Sequence, residues 1–496
     1  MSFVNGPNGE QILPIKIAGV PQPLDLNRLI PVQSSITGST IHYAQSATPE
    51  LATKAAEASY AAFQQWRKTT HTTRRELLIR AAGIIESREE RFVEMEMAET
   101  SCSEDWARFN VKLTARCFKE IAANISHATT GELPPLETPG ALCLVYQEPV
   151  GPILAISPWN ASMVLCGRAL AGPIGAGCSV VLKASELCPR VHHHLVEALE
   201  EAGLPAGVVN VVQASREDGP AVTEALISHR AIRKVEFTGS AAVGKIIGQL
   251  ASKYLKPVLM ELGGKAPAIV LKDADVKLAA QQIAFGAMLH HGQICMSTDR
   301  IVVVQDVAEP LIQELKTIIL EQYANGAGHA ATRRFASRAH DLLQKAHDNG
   351  AEFIVGDGSL NPTGSGLTPT IITNVKLEDD IFSEEIFAPA AILTIVADED
   401  EAVRVANDTH YGLNASVHSK DVFAALRVAK QIEAGQVHIG SITQYDEANI
   451  PIGGTKGSGW GRNNGKFALR EFLEEKTISI HDPQFAGSGN RFGKGH

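Results

Sequence analysis

A chain of 496 residues with 44% hydrophobic content has enough apolar material for several cores, and by the usual domain size its length corresponds to about three domains. A net charge of −10 with no long basic run excludes a nucleic-acid surface. No apolar stretch reaches a membrane span, the first residues lack the order of a secretory signal, and seven scattered cysteines without Cys-x-x-Cys spacing exclude a disulfide framework or zinc site, so a cytoplasmic protein with no metal is expected.

Thr48-Pro49-Glu50 reads as an N-cap, a first-turn proline and an early acid, and the Ala-rich run to Trp66 that follows has helical spacing. A second helix is predicted over Thr73–Arg88. The segment Leu133–Val145, with Pro134, Pro135 and Pro139 inside it, fits neither of the two sheets read from the residues that follow. From Pro152 onward short β-rich runs alternate with helical ones. Ile153–Ile156, Ser179–Leu182, Val208–Val212 and Lys234–Phe237 read as strands; Pro189–Ala202, Pro220–Ser228 and Val243–Ala251 read as helices. This alternation predicts parallel strands with crossover helices, a doubly wound sheet. A second series runs from Ala268–Leu271 through Ile301–Val304 and Ala391–Val396 to Val437–Ile439, so the predicted class is α/β with two doubly wound domains. His192-His193-His194 falls on one of these helices, where consecutive side chains point in different directions, and a solvated face is expected there; His290-His291 is read with the same caution. The Gly-rich last dozen residues are expected to be mobile.

Three segments carry chemistry. Gly292-Gln293-Ile294-Cys295-Met296 offers a thiol in a loop, Met260-Glu261-Leu262-Gly263-Gly264-Lys265 a carboxylate beside two glycines, and Ser157-Pro158-Trp159-Asn160 an amide after an apolar run. Taken singly, they also read as a small buried thiol, a strand-end charge and a turn residue. Together, at these separations, they resemble the aldehyde dehydrogenase superfamily, over nearly the whole chain from about Thr48 to about Thr477. The resemblance implies oxidation of an aldehyde to the carboxylic acid. Cys295 would be the nucleophile that forms a thiohemiacetal and then a thioester, Asn160 with the Cys295 N–H would hold the oxyanion, and Glu261 would activate water.

No G-x-G-x-x-G fingerprint is present. The resemblance implies instead a doubly wound sheet that holds NAD without that loop, with contacts from Ile156, Pro158, Trp159, Lys183, Ser185, Glu186, Phe237, Thr238, Gly239, Ser240, Val243, Gly244, Leu262, Glu385 and Phe387. A carboxylate such as Glu186 at a strand's carboxyl end accepts hydrogen bonds from ribose hydroxyls and repels a 2'-phosphate, which favours NAD over NADP. Gly239 and Ser240 open a helix whose free N–H groups attract phosphate. Ala388 stands where the family's Glu-x-Phe-Gly-Pro has glycine.

Val164, Gly167 and Arg168 follow Asn160 at i+4, i+7 and i+8, and are expected to share a helical face that forms a pocket wall. The strings around Asn160, Arg168, Trp106 and Asp446 resemble the salicylaldehyde, vanillin and benzaldehyde dehydrogenase branch, which implies an aromatic or phenolic substrate bounded by Trp106, Val164, Arg168, Ile294, Met296, Tyr445 and Ile452. Ile452 replaces the phenylalanine of the family's Pro-Phe-Gly-Gly. An enzyme for aliphatic aldehydes or semialdehydes would keep every catalytic residue named, and a catalytically silent homologue would keep the fold. The domain organisation implied is cofactor binding by 1–125 and 146–259, catalysis by 260–440, a return segment at 441–470, and bridging segments at 126–145 and 471–496 that pair between subunits of a homodimer or homotetramer; within them Leu133–Val145 and Thr477–His481 resemble the family's small bridging strands.

Overall fold

The computed structural model describes residues 3–138 and 140–482; Pro139 and the Gly-rich tail lie outside the described residues. The first helix is Pro49–Trp66, and Thr48 caps it by accepting the Leu51 N–H at 3.3 Å. The second, His71–Ser87, starts two residues earlier than its pattern predicts because Thr70 caps it through the Thr73 N–H at 3.1 Å. Ahead of them the chain forms a four-stranded sheet from Val4–Asn5, Gln11–Leu13, Thr40–Gln45 and Leu29–Gln33, which the short runs there do not announce.

The two alternating series fold into two sheets, and the fold class is α/β as expected. In the eight-stranded sheet Ile153–Ile156 is flanked by Val180–Ala184 and Val209–Gln213 on one side and by Lys234–Thr238 and Val258–Glu261 on the other, all parallel. Ile153, Ala155, Val180 and Leu182 enter one core while Leu154, Val181, Val235 and Phe237 enter another, as a sheet covered on both faces requires. The chain walks outward from Ile153–Ile156 to Val209–Gln213 and then crosses back to Lys234–Thr238. Strand order therefore reverses beside Ile153–Ile156, where such a sheet opens a crevice at its carboxyl ends. Ile156 pairs with both Lys183 and Phe237, so these ends are level.

Late residues complete this sheet. Strand Gly459–Trp460 pairs antiparallel with Val258–Glu261, helix Gly465–Glu471 packs on helices Glu104–Ala128 and Ser162–Ala176, and Ala468, Leu469 and Phe472 are buried in its core. Lys234 Nζ reaches Glu471 Oε2 at 2.7 Å.

The seven-stranded sheet runs Glu352–Val355, Thr370–Thr373, Ala390–Val396, Thr298–Val304, Ala266–Val270, Asn414–His418 and Gln436–Ile439, with only the first strand antiparallel to its neighbour. A separate two-stranded ribbon joins Leu142–Pro149 to Leu473–Ile480. Its first strand starts later than the segment Leu133–Val145 and shares Leu142–Val145 with it, and its second starts ahead of the segment Thr477–His481 and shares Thr477–Ile480 with it.

The expectation of a solvated histidine face is overturned. His192, His193 and His194 are 0, 1 and 3% exposed. Helix Pro189–Glu201 is enclosed by helices His71–Ser87, Glu89–Thr100 and Ser162–Ala176, so several of its sides are interior. Polar groups reach one nitrogen of each of two rings, while the Nδ1 of both has no hydrogen-bond partner: His193 Nε2 lies 2.9 Å from Gln213 Oε1, and Arg91 donates to His194 Nε2 at 2.8 Å. His290 and His291 are buried as well. Among the described residues no cluster of potential ligands is arranged to hold a metal ion.

Candidate active site

Glu261 ends the strand Val258–Glu261, and Asn160 lies in the loop between strand Ile153–Ile156 and helix Ser162–Ala176. Cys295 follows a reversal in which His290, His291 and Gly292 all have left-handed φ, of 50°, 58° and 68°. Two of the three are histidines, in a region that disfavours side chains, and they are held there by packing. Glycine is required at 292, since a side chain would strike the Ala388 carbonyl. Gln293 clamps the loop: its Nε2 donates to the His290 and His329 carbonyls at 3.2 Å each, and its Oε1 accepts the Ala331 N–H at 2.9 Å. Across the loop, Asn160 Nδ2 donates to the Gln293 carbonyl at 3.0 Å, leaving one amide N–H for another acceptor. Trp106 Nε1 donates to the Asn160 carbonyl at 3.0 Å.

One cavity of about 540 Å³ gathers Cys295, Glu261 and Asn160 together with Trp106, Val164, Arg168, Ile294, Met296, Tyr445 and Ile452. Gly167 is a correction. It turns away from the cavity toward Thr114 and Phe118, where a side chain would come within 2.7 Å of Thr114, so the helical face that reaches the cavity is carried by Val164, Leu165 and Arg168. Phe109, Leu113, Phe285 and Gln444 also line the cavity. None of them stands in a string that carries the resemblance as a site residue; Phe285 lies ten residues before Cys295 on a helix whose apolar pattern serves mostly as core.

The electrostatics are set by burial. Glu261 is 2% exposed, both of its oxygens are without partners, and desolvation raises its pKa. The Cys295 thiol is pushed well above its ordinary value by burial and by the negative charges of Glu261 and Glu385, with Arg168 opposing. Arg168 is not free to roam: its Nη2 donates to Asp446 at 2.6 Å and its Nε to Asn464 at 2.8 Å, with both charges buried. Burial works against the guanidinium charge, and Asp446 keeps it on.

At the level strand ends, Ile156, Lys183, Phe237 and Thr238 border the crevice, with Pro158 at the start of the next loop and Ser185 and Glu186 just beyond Val180–Ala184. Ser240 caps helix Ala241–Lys253, and Val243 in its first turn is exposed. Gly239 lies against the Phe237 ring and Gly244 against Leu262, each without room for a side chain. Glu385 accepts the Gly264 N–H at 3.1 Å and is pushed up to about 8 by burial; a side chain on Gly263 would meet this carboxylate at 2.8 Å. Trp159 stacks on Phe335 at 5.2 Å and meets Phe387 edge-on at 5.9 Å. Phe335 went unremarked in the sequence because it opens a helix about 40 residues from the thiol loop and belongs to no recognisable string. A topological switch point with the N-terminus of helix Ala241–Lys253 and the carboxylates of Glu186 and Glu385 beyond the strand ends fits a dinucleotide.

The model of the aldehyde dehydrogenase family matches residues 24–478, beginning earlier than the resemblance read from the motifs. A salicylaldehyde dehydrogenase of Pseudomonas sp. (strain C18) is 39% identical over 464 residues, covering 91% of this chain and 94% of that protein. The crystal structure of a salicylaldehyde dehydrogenase from Pseudomonas putida G7 complexed with salicylaldehyde superposes with a TM-score of 0.91 at 36% identity, over 95% of this chain and 98% of that one. A betaine aldehyde dehydrogenase from Staphylococcus aureus in complex with NAD+ gives 0.91 at 28% identity, over 96% of each chain.

Proposed function

The chain belongs to the aldehyde dehydrogenase family, enzymes that oxidise aldehydes to acids, and on that premise we propose that its substrates are aromatic or phenolic aldehydes and its cofactor NAD in preference to NADP. The observation that carries this reading is the single cavity in which Cys295, Glu261 and Asn160 face a wall containing Trp106, Phe109, Phe285 and Tyr445. Flat side chains of this kind pack aromatic rings well.

Cys295 Sγ attacks the carbonyl carbon, and the free N–H of Asn160 with the Cys295 backbone N–H receives the oxygen as it becomes charged. Bound NAD supplies a hydride acceptor. Glu261, with two unpaired oxygens, takes a proton from the water that cleaves the thioester. The thiol starts protonated in this negative surrounding, so its activation requires loss of a proton to a neighbouring base or the approach of positive charge.

Trp159, Lys183, Ser185, Glu186 and Glu385 would hold the cofactor, with Glu186 disfavouring a 2'-phosphate. No described helix is long and apolar enough to cross a membrane; a cytoplasmic location remains our reading. The exposed Leu142, Tyr146, Ile478 and Ile480 on the two-stranded ribbon support its pairing with another subunit in a homodimer or homotetramer. The divisions 1–125 with 146–259 for the cofactor and 260–440 for catalysis are proposed on the same grounds.

The test is NADH formation with benzaldehyde, salicylaldehyde, vanillin and hexanal, repeated with NADP. The aromatic aldehydes should have higher kcat/KM than hexanal, and NAD should be preferred. Equal or better use of hexanal overturns the aromatic assignment, and preference for NADP overturns the role of Glu186.

A further inference from the structure

Two helices beside the cofactor crevice begin without a cap of their own. Helix Ser162–Ala176 has Ala161 at its N-cap and helix Pro189–Glu201 has Cys188, and neither side chain takes a hydrogen bond from the first turn. First-turn N–H groups have no partner inside a helix and need one outside. A third helix, Glu89–Thr100, supplies acceptors to both from Glu96 and Glu99, one turn apart. Glu99 accepts the Arg190 and Val191 N–H groups at 3.1 and 3.0 Å and lies 2.7 Å from His42 Nε2. Glu96, 1% exposed, accepts the Ser162 hydroxyl on Oε1 at 2.8 Å, and its Oε2 is buried without a hydrogen-bond partner.

Ser162 is two residues from Asn160. The turn between them is gripped from both ends, by Trp106 at the Asn160 carbonyl and by Glu96 at Ser162. We propose that Glu96 is a positioning residue for the oxyanion donor: by holding the Ser162 hydroxyl at the start of helix Ser162–Ala176, it fixes the turn from which Asn160 aims its amide at the Cys295 loop. The inference rests on the reading of Asn160 as that donor. It assigns Glu96 to acylation, where the oxyanion forms, and not to the steady attack of water that Glu261 promotes. An acceptor at this position is what the turn requires, so glutamine should substitute.

Single-turnover NADH formation with benzaldehyde, enzyme in excess, reads acylation directly. Glu96→Ala should slow it by about 10-fold, the loss of one buried hydrogen bond, while Glu96→Gln stays within about 3-fold. Asn160→Ala alone should slow it roughly 100 to 1000-fold. Adding Glu96→Ala to Asn160→Ala should then cost less than about 2-fold more, because the group being positioned is gone. Equal losses in both backgrounds, or a glutamine variant as slow as the alanine variant, overturn the assignment of Glu96. A rate untouched by Asn160→Ala overturns the underlying reading instead. Should Glu96→Ala fail to fold, Ser162→Ala removes the hydroxyl that Glu96 grips, and the same cycle with Asn160→Ala decides in the same way.

Discussion

Glu261 presents two buried oxygens with no hydrogen-bond partner, an arrangement that is costly unless those oxygens have work to do. Replacing the carboxylate by an amide removes the proton acceptor and keeps the shape. Glu261→Gln should therefore leave a burst of NADH close to one per active site and slow the steady rate by at least about 100-fold, within the range of general-base catalysis. Stopped-flow absorbance distinguishes this from an equal loss in both phases, which would remove Glu261 from the hydrolytic step. Arg168 has a different character, because its charge is already matched by Asp446 in the interior. Arg168→Ala strands a buried carboxylate, and we expect a loss of about 3 to 5 kcal/mol in stability measured by denaturant unfolding. Arg168→Met combined with Asp446→Leu removes both charges and should recover most of that loss. If the double variant still discriminates salicylaldehyde from hexanal in kcat/KM as the native enzyme does, Arg168 braces the wall and does not recognise the substrate hydroxyl.

Elements with strong local signals were legible in the residues: Ile153–Ile156 and the helix capped by Thr48 stand where their patterns place them. The strand Val258–Glu261 was not, since it ends in a charged residue and runs through Leu262 straight into a glycine pair, with no β-branched run to mark it. Asn414–His418 carries Asn, Ser and His in its five positions, and only its place within the second sheet buries them all. The same reason defeated the histidine reading of Pro189–Glu201, where enclosure by three helices and the sheet overrides the polar look of the sequence. The thiol loop shows what one residue does to an element. Gly292 has φ of 68° and no space for a Cβ against the Ala388 carbonyl, so Gly292→Ala should shift the Cys295 loop and reduce kcat by about 10-fold or more. Retained kcat in that variant would show that the loop tolerates displacement.

At the scale of the whole molecule, six buried histidines dominate the response to acid. His192, His194, His290 and His291 are pushed down to about 3 and His193 and His418 to about 4, in each case first by burial. A depressed histidine takes up a proton on unfolding, so the stability it contributes is full above the ordinary value near 6.5 and is lost as pH falls toward 3. Glu96 and Glu385, raised to about 8, and Glu236, raised to about 7, act with the opposite sign between 4.5 and those values. Burial raises Glu261 and Asp299 as well, so where the ranges overlap six histidines oppose five carboxyls. The thermal midpoint should fall as pH is lowered from about 6.5 to 4.5, and fall more steeply below 4.5, where the carboxyls are protonated in both states. A midpoint that rose over this interval would contradict the burial of the histidines.

The strand that ends in Glu261 is covered on its outer edge by Gly459–Trp460, and the core on one face of the same sheet is closed by Ala468, Leu469 and Phe472. A chain emerging from the ribosome thus exposes the base-bearing strand about 200 residues before its partner exists. The first sheet waits, with an open edge and an unfilled core, for the second sheet to be translated and for the chain to return. Competence to hydrolyse a thioester is then among the last properties the nascent polypeptide acquires, and a stalled or prematurely terminated product would leave that edge free to pair with another chain.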